Sequence, residues 1–157
     1  MIQRPMLDLF DEFSALIAAL EAEPVEYAVC GGLAMAIHAL PRATIDIDLL
    51  IRGEDLPVVM RIANDLGYGV VASPMRFRGG DVEIRRVSKI DQESGDTLML
   101  DLLLVTPATA QAWQSRQALS WERGTVRVVS RQGLIALKSL RGSGQDLDDI
   151  ALLEGDE

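Results

Sequence analysis

The chain of 157 residues is 48% hydrophobic and 25% charged, which is typical of a globular domain with a hydrophobic core. Its formal net charge of −9 argues against broad, non-specific nucleic-acid binding, because such binding depends on Lys and Arg side chains that contact phosphates. No apolar run approaches the roughly 20 residues that a membrane helix needs, and the first residues lack the form of a signal peptide, so we expect a cytoplasmic protein with no membrane segment.

The first part of the chain alternates helices with strands. Apolar residues at spacings of three and four predict a helix over residues 6–22, which ends before Pro24. A run of β-branched and apolar residues predicts a strand over residues 44–51. The other elements predicted here are a strand over 25–30, a break at Gly31-Gly32, a helix over 33–40 and a helix over 54–66 that is closed by Gly67.

The second part predicts strands first and helices afterwards. Strands over 82–90 and 97–105 flank a six-residue turn and are typical of a hairpin. Thr106 is the predicted N-cap of a helix to about Arg116, and Ser130 that of a helix to about Arg141. The other elements predicted here are a strand over 68–72, a basic loop or edge over 73–80, a hairpin around Arg123-Gly124 and a last helix over about 145–154. This order predicts one α/β (α+β) domain over residues 1–157, with a mixed sheet flanked by helices and C-terminal helices over about 130–154.

Two aspartates stand inside an apolar run that we predict to be a strand. Asp46 and Asp48 lie two residues apart in ATIDIDLLI, so their side chains share one face of the strand. Asp101 is the only charged residue of TLMLDLLLV, the second strand of the predicted hairpin. If the two strands are neighbours, three carboxylates could hold one or two Mg²⁺ ions, because this cation prefers oxygen ligands. An Asp-x-Asp with no ligand is the alternative.

A glycine pair precedes these acids. Gly31 and Gly32 lie between a predicted strand and a predicted helix, where a ligand can approach a backbone that carries no side chains. Thirteen residues, 33–45, separate Gly32 from Asp46. The order of Gly-Gly, Asp-x-Asp and a later acid resembles the signature of the nucleotidyltransferase superfamily that includes DNA polymerase β.

The string GGLAMAIHALPRATIDIDLLI is similar to the minimal branch of that superfamily, which contains MNT-type proteins and AbiEii-like nucleotidyltransferases of bacterial toxin–antitoxin systems. Arg42, Thr44 and the two acids match its usual R-x-T-x-D-x-D form. The segment LIALKSLRGSGQDLDDIALL also resembles this branch, through Lys138, Arg141, Asp146 and Asp149.

The resemblance implies a polymerase β-like fold and transfer of a nucleoside monophosphate from an NTP to an acceptor hydroxyl. It implies that Asp46, Asp48 and Asp101 are catalytic and bind one or two Mg²⁺ ions, with Asp101 also helping to deprotonate the acceptor. The nucleotide-binding residues that it implies are Gly31, Gly32, Arg42, Thr44 and Lys138. The acceptor could be a protein side chain, a tRNA end or a small molecule such as an antibiotic, and a cognate toxin or antitoxin could be a partner.

Several residues keep two interpretations. His38, the only histidine, could be a general base or a packed residue on a helix. The basic group of Arg76, Arg78, Arg85 and Arg86 could protect an edge strand or bind an acceptor such as an RNA end. The whole chain could also be a non-catalytic binding protein on the same fold, such as one half of a toxin–antitoxin pair.

Overall fold

The computed structural model describes residues 7–39 and 46–155, so Arg42 and Thr44 lie outside the described residues. Within these ranges the chain forms six helices and eight strands. The helices are α1 (Leu9–Ala22), α2 (Gly31–Ile37), α3 (Leu56–Asp65), α4 (Ala110–Gln114), α5 (Arg131–Arg141) and α6 (Gly144–Gly155). The strands are β1 (Ala28–Cys30), β2 (Asp46–Ile51), β3 (Val70–Val71), β4 (Met75–Phe77), β5 (Val82–Ile90), β6 (Thr97–Leu104), β7 (Gln117–Trp121) and β8 (Gly124–Val128).

All eight strands belong to one sheet with the order β3-β5-β6-β2-β1-β8-β7, and β4 pairs with another part of β5. The pairs β2–β6 and β1–β8 are parallel, whereas the other pairs are antiparallel. This confirms the predicted α/β class with a mixed sheet flanked by helices. None of the described helices has the length and apolar character needed to cross a membrane.

Alternation along the central strands separates the two faces of the sheet. In β2, Ile47 and Leu49 point to one face and are fully buried, while the aspartates point to the other. Helix α1 covers the first face, where Glu12 accepts two hydrogen bonds from Lys89 of β5 at 3.0 Å each. Helix α5 covers the aspartate face, because its residue Leu137 lines a small void together with Asp48. The acids therefore lie between the sheet and α5.

Helix α5 begins and ends as its sequence predicts. The Ser130 hydroxyl accepts a hydrogen bond from the Gly133 N–H at 2.9 Å, which confirms the predicted N-cap. Gly142 ends the helix with a φ of 68°, a left-handed conformation that glycine adopts without steric cost. These two signals set the length of the helix that covers the acids.

Two local predictions were wrong in detail. Gly31 and Gly32 form the first turn of α2 and do not stand as a break before it. Thr106 does not cap α4: its hydroxyl donates to the Asp81 carbonyl at 2.7 Å, and the helix starts only at Ala110. The segment 73–80, predicted to be a basic loop or edge, contains strand β4, which pairs with β5 and confirms the edge.

Candidate functional site

Four side chains form one row across the middle of the sheet. The strand register places Cys30 opposite Asp48, Asp48 opposite Asp101, and Asp101 opposite Arg86. Residues that face each other on neighbouring strands point to the same side, so this row crosses β1, β2, β6 and β5 on the α5 face. Asp46 joins the same face two residues before Asp48. The condition for a three-carboxylate site, that Asp101 lies beside the Asp-x-Asp strand, is therefore met.

Asp48 is the central acid of this row and is only 8% exposed. Burial and the neighbouring charges of Asp101 and Asp46 together raise the pKa of its carboxyl to about 7, against opposing contributions from Arg141 and Lys138. Burial also raises the pKa of the adjacent Cys30 thiol, so Cys30 packs as a small neutral residue of the core. A carboxylate in this position is unfavourable unless a cation or a proton accompanies it.

Asp101 is held by Arg86. The Arg86 guanidinium donates from Nε to Oδ1 at 2.7 Å and from Nη2 to Oδ2 at 2.9 Å, a bidentate geometry. Both oxygens of the third acid are therefore occupied by a side chain from the neighbouring strand. Arg86 belonged to the basic group of the sequence, and neither interpretation of that group anticipated its pairing with Asp101.

Gly31 makes room for Asp48. Its φ of +67° lies in the left-handed region, and a Cβ placed on it would come within 2.7 Å of the Asp48 Cγ and closer still to Oδ2. A side chain at this position would therefore collide with the central acid. Gly31 therefore packs against Asp48 in this structure, whereas the sequence resemblance implied that it contacts the nucleotide.

Lys138 of α5 contacts two acids of α6. Its ammonium donates to the Asp149 Oδ2 at 2.8 Å, and both side chains are buried between α5 and α6. Asp146 lies further away, with Oδ1 at 3.9 Å from the same nitrogen. Lys138 also lines the void beside Gly31 and Asp48. It is near the site, but its hydrogen bond connects α5 to α6.

Two spaces border the row of acids. One is a void of about 10 Å³ beside Gly31 and Asp48, roofed by α5. The other is an open pocket of about 460 Å³ beside Asp101 and Arg86, between β4, β5 and the C-terminal end of α5. Arg141 lines both spaces. The site is therefore closed on the glycine side and open on the Asp101 side.

The donor set suits Mg²⁺ in its chemistry, since carboxylate oxygens are hard ligands and buried acids that repel one another gain from a cation. Asp46 and Asp48 share one face of one strand, and Asp101 faces Asp48. Within residues 7–39 and 46–155, however, no three side chains of His, Cys, Asp or Glu are gathered closely enough to hold a metal ion. Because Arg86 donates to both oxygens of Asp101 and offsets its charge, Asp101 would bind a cation more strongly once that pair opens.

Sequence reasoning did not identify Arg86 as a site residue, although a signal for it was present. In the predicted hairpin, Ile90 and Thr97 close the turn, and the observed register pairs these two residues. Four residues further from the turn on each strand, Arg86 lies opposite Asp101. For His38, the structure favours the packed residue over the general base, because its Nε2 hydrogen-bonds with the Val129 carbonyl oxygen at 2.8 Å.

Known proteins share this architecture. No protein-family model matches the chain, and no curated protein matches its sequence. A candidate nucleotidyltransferase from Thermotoga maritima, TM1012, superimposes with a TM-score of 0.61 at 14% identity, over 94% of this chain and 93% of that one. The lincosamide antibiotic adenylyltransferase LnuA, solved with lincomycin bound, gives a TM-score of 0.60 at 16% identity, over 92% and 95%.

ANT(2″)-Ia, solved in complex with adenylyl-2″-tobramycin, gives a TM-score of 0.63 at 16% identity, over 90% of this chain and 84% of that one. With identities this low, the superpositions show a shared architecture, and the bound substrates are properties of those proteins. The three superpositions have TM-scores of 0.60 to 0.63 and cover at least 90% of this chain, so this chain has the nucleotidyltransferase fold.

Proposed function

We propose that the chain is a Mg²⁺-dependent nucleotidyltransferase that moves a nucleoside monophosphate from an NTP to an acceptor hydroxyl. The observation that carries the proposal is the register of β2 and β6, which brings Asp46, Asp48 and Asp101 to one face of neighbouring strands. A fold shared with two adenylyltransferases supports nucleotidyl transfer, and ATP is the first donor to test.

The proposed reaction is an in-line displacement at the α-phosphate. The acceptor oxygen forms a bond to the α-phosphorus while the bond from that phosphorus to the bridging β-phosphate oxygen breaks, and pyrophosphate leaves with the bonding electrons. The proton of the acceptor hydroxyl passes to the Asp101 carboxylate and then to water. When bound, Mg²⁺ neutralises phosphate charge and lowers the cost of bringing an anionic donor to three acids.

The residues of the chain have distinct roles in this proposal. Asp46 and Asp48 would hold the metal, and Asp101 would join them after release from Arg86. Gly31 and Gly32 would lie along the triphosphate, and Lys138 would contact it as a point charge once separated from Asp149. Arg42 and Thr44 are proposed as further nucleotide contacts on the basis of the sequence resemblance.

The acceptor is proposed to be a small molecule, because LnuA and ANT(2″)-Ia were both solved with antibiotics or their adenylylated products. A protein side chain and a tRNA end are the other acceptors to be compared. The proposal places the enzyme in the cytoplasm, where NTPs are available, and allows it to act as part of a toxin–antitoxin pair.

Incubation with labelled ATP, CTP, GTP or UTP and a cell extract tests the proposal directly. We expect one labelled product that requires Mg²⁺ and disappears with the variant Asp48→Asn. The exposed variant Asp81→Asn, which changes the same charge away from the row of acids, is expected to retain labelling. Absence of labelling, together with absence of any thermal stabilisation by Mg²⁺ and NTP, would contradict the proposal.

One observation favours a second candidate, a non-catalytic binding protein on the same fold. Arg86 and Lys138 already pair with acids of the chain, and α5 leaves only about 10 Å³ beside Gly31 and Asp48. A triphosphate would need α5 to move. Stabilisation by a partner protein but by no NTP would support this candidate over the enzyme.

A further inference from the structure

We propose that the pocket beside Asp101 binds the acceptor, and that this acceptor carries an anionic group and an apolar portion in addition to its hydroxyl. The inference rests on the nucleotidyl transfer proposed above and deepens it by naming the acceptor class. The pocket has a volume of about 460 Å³, a size that accommodates a small organic molecule. Its position beside the proposed base is the first reason to assign it to the acceptor.

The charge of the pocket is the second reason. Three arginines and two aspartates line it, so its lining is net positive in a chain whose formal net charge is −9. Arg86 and Asp101 neutralise each other through their bidentate pair. The remaining positive charge belongs to Arg78 and Arg141.

Arg78 is the guanidinium of this pocket that no carboxylate neutralises. It donates from Nε to the Leu140 carbonyl at 2.8 Å, and among the described residues no carboxylate lies within ion-pairing distance of it. Arg141 forms a long ion pair, with its Nε 3.7 Å from the Asp146 Oδ2, which is too far for a strong hydrogen bond. That oxygen already accepts from the Ser143 hydroxyl at 2.6 Å. Arg78 is therefore available for a carboxylate or phosphate of a ligand, and Arg141 can add a second hydrogen bond because its contact with Asp146 is weak.

The apolar walls are the third reason. Side chains from β4, β5 and α5 line the pocket between the arginines, namely Met75, Phe77, Val82, Ile84 and Leu140. The Phe77 ring is 52% exposed at the rim, so a ligand that covers it removes apolar surface from water. A cationic acceptor would meet a lining with a net positive charge and gain little, whereas an anion with an aromatic or aliphatic body would satisfy both parts of the lining.

The geometry also separates acceptor from donor. The pocket lies on the Asp101 side, the glycines lie on the other side of Asp48, and Arg141 borders both spaces. An acceptor anchored by Arg78 would approach the row of acids from the open side. Its hydroxyl would then lie near Asp101, the residue proposed to accept its proton.

The test uses three probes that share a 4-hydroxyphenylethyl body and differ only in the terminal group. These are 3-(4-hydroxyphenyl)propanoate, its primary amide and tyramine, each titrated into the full chain by calorimetry or NMR without metal or nucleotide. We expect the propanoate to bind at least fivefold more tightly than the amide, and tyramine to bind more weakly than the amide. Equal affinities, a preference for tyramine, or no binding of any probe at millimolar concentration would overturn the proposal.

Two variants and one control test whether Arg78 and Arg141 cause the preference for the anionic probe. Arg78→Gln and Arg141→Gln are each expected to remove most of the propanoate's advantage over the amide and leave it about twofold or less, because each variant loses a hydrogen bond to a charged group. Their amide affinity should not change, which shows that the pocket is intact; if Arg78→Gln loses amide binding too, Arg78→Lys should restore both. Arg61→Gln removes an arginine that pairs with Glu23 elsewhere on the surface and should have no effect. An undiminished preference in both pocket variants would overturn the assignment.

Titration of the propanoate in the presence of saturating MgATP separates the acceptor from the donor. Simultaneous binding of both is expected, whereas competition would show that the arginines bind the phosphates of the nucleotide and would overturn the acceptor assignment. Because the probe titrations need no turnover, charge-dependent binding without any labelled product would refute the proposed transfer and leave the anion-binding pocket supported.

Discussion

Arg86 and Asp101 face each other on antiparallel strands and share two hydrogen bonds of 2.7 and 2.9 Å. The pair joins the third proposed metal ligand to the wall of the large pocket, since both residues line that pocket. Each Asp101 oxygen keeps a lone pair that could bind a metal ion, but the guanidinium offsets the negative charge that Asp101 offers to a cation. The pair is therefore a competitor of the metal.

Replacement of Arg86 by Gln tests this competition. Without Mg²⁺ the variant should be destabilised by about 1–3 kcal/mol, because Asp101 keeps its buried charge and loses its partner. Saturating Mg²⁺ should recover part of that loss and should bind more tightly than to the unmodified chain. Urea unfolding at several Mg²⁺ concentrations measures both effects.

The control for this experiment is Arg76→Gln, because Arg76 forms a more exposed ion pair with Glu83 on neighbouring strands. Its loss should be small, about 1 kcal/mol or less, and independent of Mg²⁺. An equal loss for Arg86→Gln at all Mg²⁺ concentrations would contradict a role for Asp101 in binding the metal.

Asp48 should make the stability of the metal-free protein depend on pH. Its pKa is about 7 in the folded chain against 3.8 for an ordinary carboxyl, so the folded state binds more protons between these values. Stability should therefore fall as pH rises from about 4 to about 7, and then stay level for this group. Asp48→Asn should remove this slope and be more stable than the parent by about 4 kcal/mol at pH 8, with little difference at pH 4.

Chemical unfolding at a series of pH values measures the Asp48 effect. Asp81→Asn serves as the control because Asp81 is exposed. If the stability of the parent protein rises between pH 4 and 7 relative to that of Asp48→Asn, the pKa of Asp48 is not raised in the folded state. The stabilised variant should also lose NTP-dependent labelling, because the carboxylates that repel one another in the metal-free protein are the groups proposed to bind the metal.

Gly31→Ala should destabilise the protein through two separable effects. The left-handed backbone costs an alanine about 1–2 kcal/mol, and the overlap of its Cβ with the Asp48 carboxyl adds about 1–3 kcal/mol. The double variant Gly31→Ala/Asp48→Ala should relieve the second effect and keep the first. Thermal unfolding of the four proteins in this cycle measures the coupling.

The comparison for Gly31 is Gly53→Ala, because nothing lies within 4 Å of a Cβ at Gly53 and its φ is not left-handed. This change should alter stability by less than about 0.5 kcal/mol. Additive effects of Gly31→Ala and Asp48→Ala would show that the two residues do not touch in solution.

Lys138→Met should cost about 3–5 kcal/mol, because it removes the ammonium that donates to the fully buried Asp149 carboxylate. The double variant Lys138→Met/Asp149→Leu should recover most of that loss, since the buried carboxylate is removed together with the ammonium. Urea unfolding of the single and double variants checks this. Lys89→Met breaks a partly exposed pair with Glu12 and should cost about 1 kcal/mol or less; a similar small loss at Lys138 would contradict the buried pair.

Patterns within single segments predicted much of this protein. Alternation in ATIDIDLLI placed the two aspartates on one face, and the structure shows that arrangement in β2. The six-residue turn predicted the β5–β6 hairpin, and Ser130 predicted the start of α5. Each of these signals is local, because it depends on side-chain direction, turn length or a hydrogen bond that spans three residues.

The tertiary structure decided what occupies the space around the acids. The parallel pairing that sets Asp48 beside Asp101 joins strands that lie some fifty residues apart in the chain, and no local pattern encodes it. The fit of Gly31 against Asp48 and the pairing of Lys138 with Asp149 likewise arise only when separate elements pack. The sequence determined which residue types the site has, whereas long-range packing determined which charges neutralise one another and which arginines remain for a ligand.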